Sequence, residues 1–147
     1  MRYFSTKGII LKKQNRAEND NFITIFSPDL GKFKAISKSS RKLTSSLMGH
    51  LEMLNICNFQ IYKTTNNFTI TQCQLHKSYL EIRNDLDKTL FAFILAEIIQ
   101  KSTAGEEQSS YEIFELFIRT LDEIEQAKNY EFILEKFKIK PYSKLSQ

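Results

Sequence analysis

His50, Cys57, Cys73 and His76 are the residues best equipped to hold a metal, and their spacing argues against it. Structural zinc sites draw on paired ligands such as Cys-x-x-Cys. Here only Cys73 and His76 lie close together, with two residues between them, and no Cys-x-x-Cys occurs. The expectation is two thiols facing a core and two imidazoles at the surface. Glu18 and Asp20 could present two carboxylates to Mg²⁺, but without phosphate ligands such a pair binds the ion weakly, and a polar turn is the usual place for such a run. The chain has no phosphate-cradling glycine loop, no HExxH and no GxSxG. No catalytic residue, metal or cofactor is expected, and the chain is read as a non-enzyme.

Binding chemistry is better represented. Lys12, Lys13 and Arg16 close the first apolar run, Lys32 and Lys34 bracket Phe33, and Lys38, Arg41 and Lys42 populate a Ser-rich stretch. Cations on neighbouring segments with an aromatic among them suit a polyanion, because phosphate contact releases counterions. These eight residues are the candidate contacts to nucleic acid. Phe22, Phe26, Phe33 and Phe59 are read as core rather than as a stacking platform. Residues 1–80 carry twelve Lys and Arg against four carboxylates, and residues 81–147 carry nine against thirteen. The net charge of +4 thus averages a basic half and an acidic half.

The elements that must position these residues change period midway. Runs at Ile9–Leu11, Asn21–Phe26, Lys32–Ile36, 51–62 and Phe68–Leu75 are β-branched or aromatic. Ser27-Pro28-Asp29-Leu30-Gly31 and Asn66-Asn67 supply turns. The alternation slips between Ile70 and Cys73, which predicts a bulge. Five antiparallel runs in so short a span fit a closed barrel. After Ser78 the period is helical. Ser78 with Glu81, and Ser109 with Glu112, have capping-box spacing. Leu86, Leu90, Phe93/Ile94 and Ile98, widened by Phe91, Leu95 and Ile99, predict a helix buried on a broad face, and Ile113, Phe117, Leu121 and Ile124, flanked by Phe114 and Ile118, a second stripe. Tyr130, Ile133, Leu134 and Phe137 predict a third helix ending near Pro141. The fold class is α+β: a five-stranded OB-fold β-barrel over 1–78, then a small three-helix bundle over 79–147.

The whole chain has 147 residues, 41% of them hydrophobic and 26% charged, which fits a globular domain. No apolar run approaches the ~20 residues a membrane span needs. The first residues lack the apolar segment of a secretory signal. Two cysteines without such a signal predict a reducing, cytoplasmic setting.

The run from Lys7 to Tyr62 resembles the amino-terminal barrel of RecO, the bacterial recombination mediator. The matching pieces are Gly8-Ile9-Ile10-Leu11-Lys12, Glu18-x-Asp20, Ile23-Thr24-Ile25-Phe26-Ser27-Pro28-x-x-Gly31-Lys32, Ala35-Ile36-Ser37-Lys38 with Arg41-Lys42, and Gly49-His50-Leu51-Glu52. Asp85, the Leu90 to Glu97 segment, Glu106-Glu107 and Ile113-Phe114-Glu115-Leu116 extend it more loosely. The resemblance implies binding of single- and double-stranded DNA, strand annealing, and cooperation with RecR and with the acidic tail of single-strand-binding protein to load RecA, in a cytoplasmic, nucleoid-associated setting. It implies DNA contact by Lys12, Lys13, Lys32, Lys38, Arg41 and Lys42; Arg16 and Lys34 stand on charge alone. Ala17 replaces a usual glycine, Ser39-Ser40-Arg41 replaces Gly-Ala-Arg, and a usual basic residue near Ser45-Ser46 is missing. Typical members continue with further helices and often a four-cysteine zinc module, so the chain is expected to be a shortened member. The alternatives by class are an adaptor for acidic protein tails and an RNA-binding barrel.

Overall fold

A computed structural model describes residues 2–17, 20–38, 51–103, 110–128 and 135, with the side chains of Arg16 and Ala17 excepted. Arg41, Lys42, His50, Ser109 and, apart from Glu135, the expected third helix lie outside the described residues. Five strands come first: β1 (Arg2–Ala17), β2 (Asp20–Ser27), β3 (Gly31–Ser37), β4 (Ile56–Lys63) and β5 (Phe68–Lys77). Among the described residues three helices follow: α1 (Leu80–Arg83), α2 (Leu86–Ser102) and α3 (Ser110–Gln126). The strands close into a barrel in the order β1-β2-β3-β5-β4. Every pairing is antiparallel except β3 with β5, which run parallel through Ile36 and Thr69. Sequence and structure agree on an α+β fold with an amino-terminal OB barrel.

β1 is long because it serves two partners. Its first half pairs with β4 and its second with β2, the two ladders meeting at Ile9. The β2–β3 hairpin turns where Ser27 Oγ accepts the amides of Asp29 at 3.1 Å and Leu30 at 3.2 Å. Gly31 then takes a φ of +74°, a conformation that favours glycine. The predicted slip in β5 is a bulge: Ile70 faces Ile61 and Gln72 faces Gln60, leaving Thr71 extra.

Two apolar cores lie on either side of the barrel wall. Ile10, Ile23, Ile25, Ala35, Phe59 and Ile61 fill the interior with both cysteines. Ile9, Leu11, Phe26, Leu54 and Ile56 face outwards and join Phe114, Phe117, Leu121 and Ile124 of α3. Phe26 and Phe114 meet edge to face at 5.8 Å.

The structure corrects four readings. First, the fourth strand begins at Ile56 rather than at residue 51. Residues 51–55 form a turn, with Leu54 at φ 72° and its amide bonded to Ile10 O at 2.8 Å. Second, the first helical segment breaks at Asn84 into α1 and α2, and Asp85 caps α2 by accepting the amide of Lys88 at 3.0 Å.

Third, Ser78 is no cap. Tyr79 occupies the cap position of α1, and the carboxylate of Glu125 on α3 accepts the amides of Glu81 at 3.2 Å and Ile82 at 2.8 Å. Fourth, the middle of the predicted stripe of α2 faces outwards, with Leu86 74% exposed and Ile94 60%, and only its widening residues Phe91, Leu95 and Ile99 turn to the core. The buried side is Ala92, Ala96 and Ile99, with Phe91 and Leu95 packed against the core. α2 is apolar on every side, so periodicity alone cannot select the face. The alanines let the backbone come close, and Lys88 Nζ fixes that side by donating to Glu125 O at 3.2 Å. The stripe of α3 is buried as its spacing predicts.

Candidate nucleic-acid interface

A second bulge controls the cationic side. In the β1–β2 ladder Ile10 faces Ile25 and Lys12 faces Thr24, so Leu11 is extra. An unbroken register would set Lys12 opposite Ile23, whose side chain lies in the barrel interior. The bulge moves it onto the outer face, one of the ways bulges re-aim side chains. Thr24 in turn faces Lys34 on β3. Lys12, Thr24 and Lys34 therefore form one cross-strand row, the two lysine backbones about 10 Å apart at the usual strand spacing. The neighbouring outward row brings Phe22 beneath Lys34, whose ammonium sits 5.5 Å from the ring centroid.

The remaining predicted contacts divide. Lys38 is exposed just past the end of β3, on the strand that carries Lys34. Lys13 alternates to the other side and pairs with Glu52 at 3.3 Å. Lys32 is turned towards the helices, where its ammonium donates to Gln100 O at 2.5 Å near the carboxyl end of α2. The Arg16 side chain, Arg41 and Lys42 lie outside the described residues. The structure thus brings Lys12 and Lys34 together, with Lys38 just past the end of β3, and gives Lys13 and Lys32 protein partners.

Cys57 and Cys73 both face the interior core. Their mutual hydrogen bond, together with burial, pushes the Cys57 thiol up, while the same bond draws Cys73 down. His76 is exposed, and among the described residues no His, Cys, Asp and Glu side chains gather in a metal-holding group. Asp20 is half-buried, and its possible partner Glu18 lies outside the described residues. Phe26 and Phe59 are core, as expected, and Phe33 packs at 5.2 Å on Phe68 at one end of the barrel. Phe22 is the exception, half-buried on the outside beneath a lysine.

Sequence reasoning missed a second cationic and aromatic group. Tyr3 and Tyr62 pair across β1 and β4 with ring centroids 4.7 Å apart. Arg2 and Lys63 are their neighbours and face each other in the same ladder. The signal was present as two cation–tyrosine dipeptides, Arg2-Tyr3 and Tyr62-Lys63, at matching phase.

Fold and face define the class first: an OB barrel with a basic outer row and helices packed on one flank. Two family descriptions match the chain, Recombination protein O N terminal over residues 1–79 and Recombination protein O C terminal over 83–145. The chain is 35% identical over 136 residues to the DNA repair protein RecO of Dehalococcoides mccartyi, covering 92% of this chain and 53% of that protein. It is 32% identical over 121 residues to the RecO of Acetivibrio thermocellus, covering 82% and 48%. With the RecO of Nostoc punctiforme the figures are 36% over 128 residues, covering 87% and 42%. The chain belongs to the recombination protein O family. It spans about half the length of the curated relatives it matches.

Proposed function

We propose that this chain is a non-enzymatic DNA-binding protein of recombinational repair, working in the cytoplasm at the nucleoid. It binds single- and double-stranded DNA through the outer side of β1, β2 and β3. The observation that carries the reading is the Lys12–Thr24–Lys34 row, built by the bulge at Leu11 on a barrel of a type that uses the β2–β3 face for oligonucleotides. Lys38 adds to the same face, Arg16, Arg41 and Lys42 are further DNA contacts by their charge and sequence alone, and Lys13 and Lys32 act only where their present partners yield. Annealing needs no bond chemistry: cations that neutralise two backbones lower their repulsion so that bases can pair. By family, RecR and the tail of single-strand-binding protein are the protein partners, and RecA is loaded downstream.

A salt series of oligonucleotide binding tests this. The logarithm of the binding constant is expected to fall linearly with the logarithm of salt concentration, and each lysine that touches a phosphate contributes about 0.7 to the slope on a single strand. Lys12→Ala with Lys34→Ala is expected to flatten the slope by about 1.4 units, where Lys32→Ala leaves it unchanged. A slope near zero for the unsubstituted protein overturns the reading.

A further inference from the structure

The other side of the barrel, where the first half of β1 meets β4 and β5, has a chemistry of its own. Its outward residues fall into registered rows. Tyr3, Tyr62 and Thr69 form one, Ser5, Gln60 and Gln72 the next, and Lys7, Asn58 and Gln74 a third. Successive rows are about 7 Å apart. Ser5, Asn58, Gln60, Gln72 and Gln74 of the last two rows line a cleft of about 350 Å³. Nothing on β1, β4 or β5 is acidic. Beyond the tyrosine pair, Arg2 and Lys63 line a second cleft of about 220 Å³ with Thr64 and Thr65.

These groups complement an unpaired nucleotide chain. Tyr3 is 63% exposed, and its pairing with Tyr62 holds both rings at the rim of the amide rows. Aromatic rings so placed stack on any base. Side-chain amides carry a donor and an acceptor, which is what base edges require. Ser5 Oγ donates to Gln60 Oε1 at 2.7 Å, which occupies that oxygen and leaves the NH₂ of Gln60 as a donor. Arg2 and Lys63 alternate to the inner side of the sheet at the end of the barrel, where Lys63 Nζ lies 5.5 Å from the Phe68 ring centroid, and bring positive charge to that end. The tyrosine row also continues round the barrel, from Thr69 to Ile36 on β3 and Phe22 on β2, so it runs into the cationic side beside Lys34.

We propose that the β1–β4–β5 face seats the bases of a single strand, with Tyr3 and Tyr62 as the stacking platform and the rows of Gln60 and Gln72 meeting base edges. The proposal rests on the nucleic-acid reading above and deepens it, because it makes the protein select unpaired bases as well as phosphates.

Fluorescence anisotropy with two labelled probes of equal length tests it: an oligothymidylate, and an abasic deoxyribose-phosphate strand that keeps every phosphate. The unsubstituted protein is expected to prefer the thymidylate. Tyr3→Ala with Tyr62→Ala is expected to weaken thymidylate binding about 5- to 100-fold and leave abasic binding unchanged. Gln72→Ala is a milder change in the same direction, and Tyr62→Phe, which keeps the ring, retains the preference. Lys12→Ala with Lys34→Ala is expected to weaken both probes alike. Equal affinity of the unsubstituted protein for the two probes overturns the base-seating face while leaving the phosphate reading intact. Undiminished preference in the folded double tyrosine variant, or in Gln72→Ala where that variant does not fold, overturns it too. Binding of neither probe removes both readings.

Discussion

Two groups converge on the carboxylate of Asp122. Lys77 Nζ donates to Oδ1 at 2.7 Å and the Tyr79 hydroxyl donates to the same oxygen at 3.1 Å. The Lys77 ammonium also sits 4.8 Å from the Tyr79 ring centroid. Burial, and next the charge of Asp122, push the Tyr79 phenol above its ordinary 10.0. A phenol that holds its proton longer in the folded state contributes stability that is complete below pH 10.0 and declines as pH rises above it, since only the unfolded chain ionises there. Denaturation midpoints measured across alkaline pH are expected to fall more steeply for the parent than for Tyr79→Phe, which has no proton to lose. Identical slopes would count against the role given to Tyr79. At this scale the sequence reveals residue types but not their facing. Lys12 and Lys13 alternate across the strand, and which of them points outwards and which pairs with Glu52 is decided by a bulge whose position depends on a partner strand. Lys32 reads as a free surface cation, and the carbonyl it meets lies far along the chain in α2.

At the scale of elements, α1 illustrates how little local propensity can explain. It has four residues and makes no side-chain cap of its own. So short a helix is unstable alone. Its exposed amides are satisfied by Glu125, held in place because α3 packs on the same core. Glu125→Ala is expected to lower stability by about 0.5–2 kcal/mol in a urea melt, the usual loss for a removed amino-terminal cap. Glu125→Gln keeps an acceptor and is expected to lose less. A result in which both variants match the parent would remove the capping role. The strands of the barrel, its turns and the bulge in β5 were legible because alternation and turn chemistry are local signals. The face of α2 was not, since Leu86, Ile94 and Ala96 all belong to one apolar cylinder and only the close approach of its neighbours distinguishes them. Among the described residues no helix is long and apolar enough to cross a membrane, α2 included.

For the molecule as a whole, the wall of the barrel matters more than either core. Ile9, Ile10 and Leu11 are consecutive, yet the outer two join the helical core and the middle one the barrel interior. Charge follows the same division: the basic half of the sequence builds the barrel, and on α3 the carboxylate of Asp122 ties the helices to Lys77 of β5 while that of Glu125 ties α3 to α1. That asymmetry was plain in the sequence, whereas the amide and tyrosine rows were not, because uncharged residues acquire meaning only when register aligns them. The barrel's closure has a further consequence. β1 and β2 share a long ladder, but β3 and β5 are registered through the single pair Ile36 and Thr69. Amide exchange followed residue by residue is expected to be faster along that junction than in the β1–β2 ladder, and equal protection would refute it. The outer row leading from Tyr62 to Phe22 crosses this same junction. The barrel closes like a clasp: its register is shortest along this line, where Phe33 against Phe68 and the shared interior core bridge the two strands, and a chain lying across it would hold it shut.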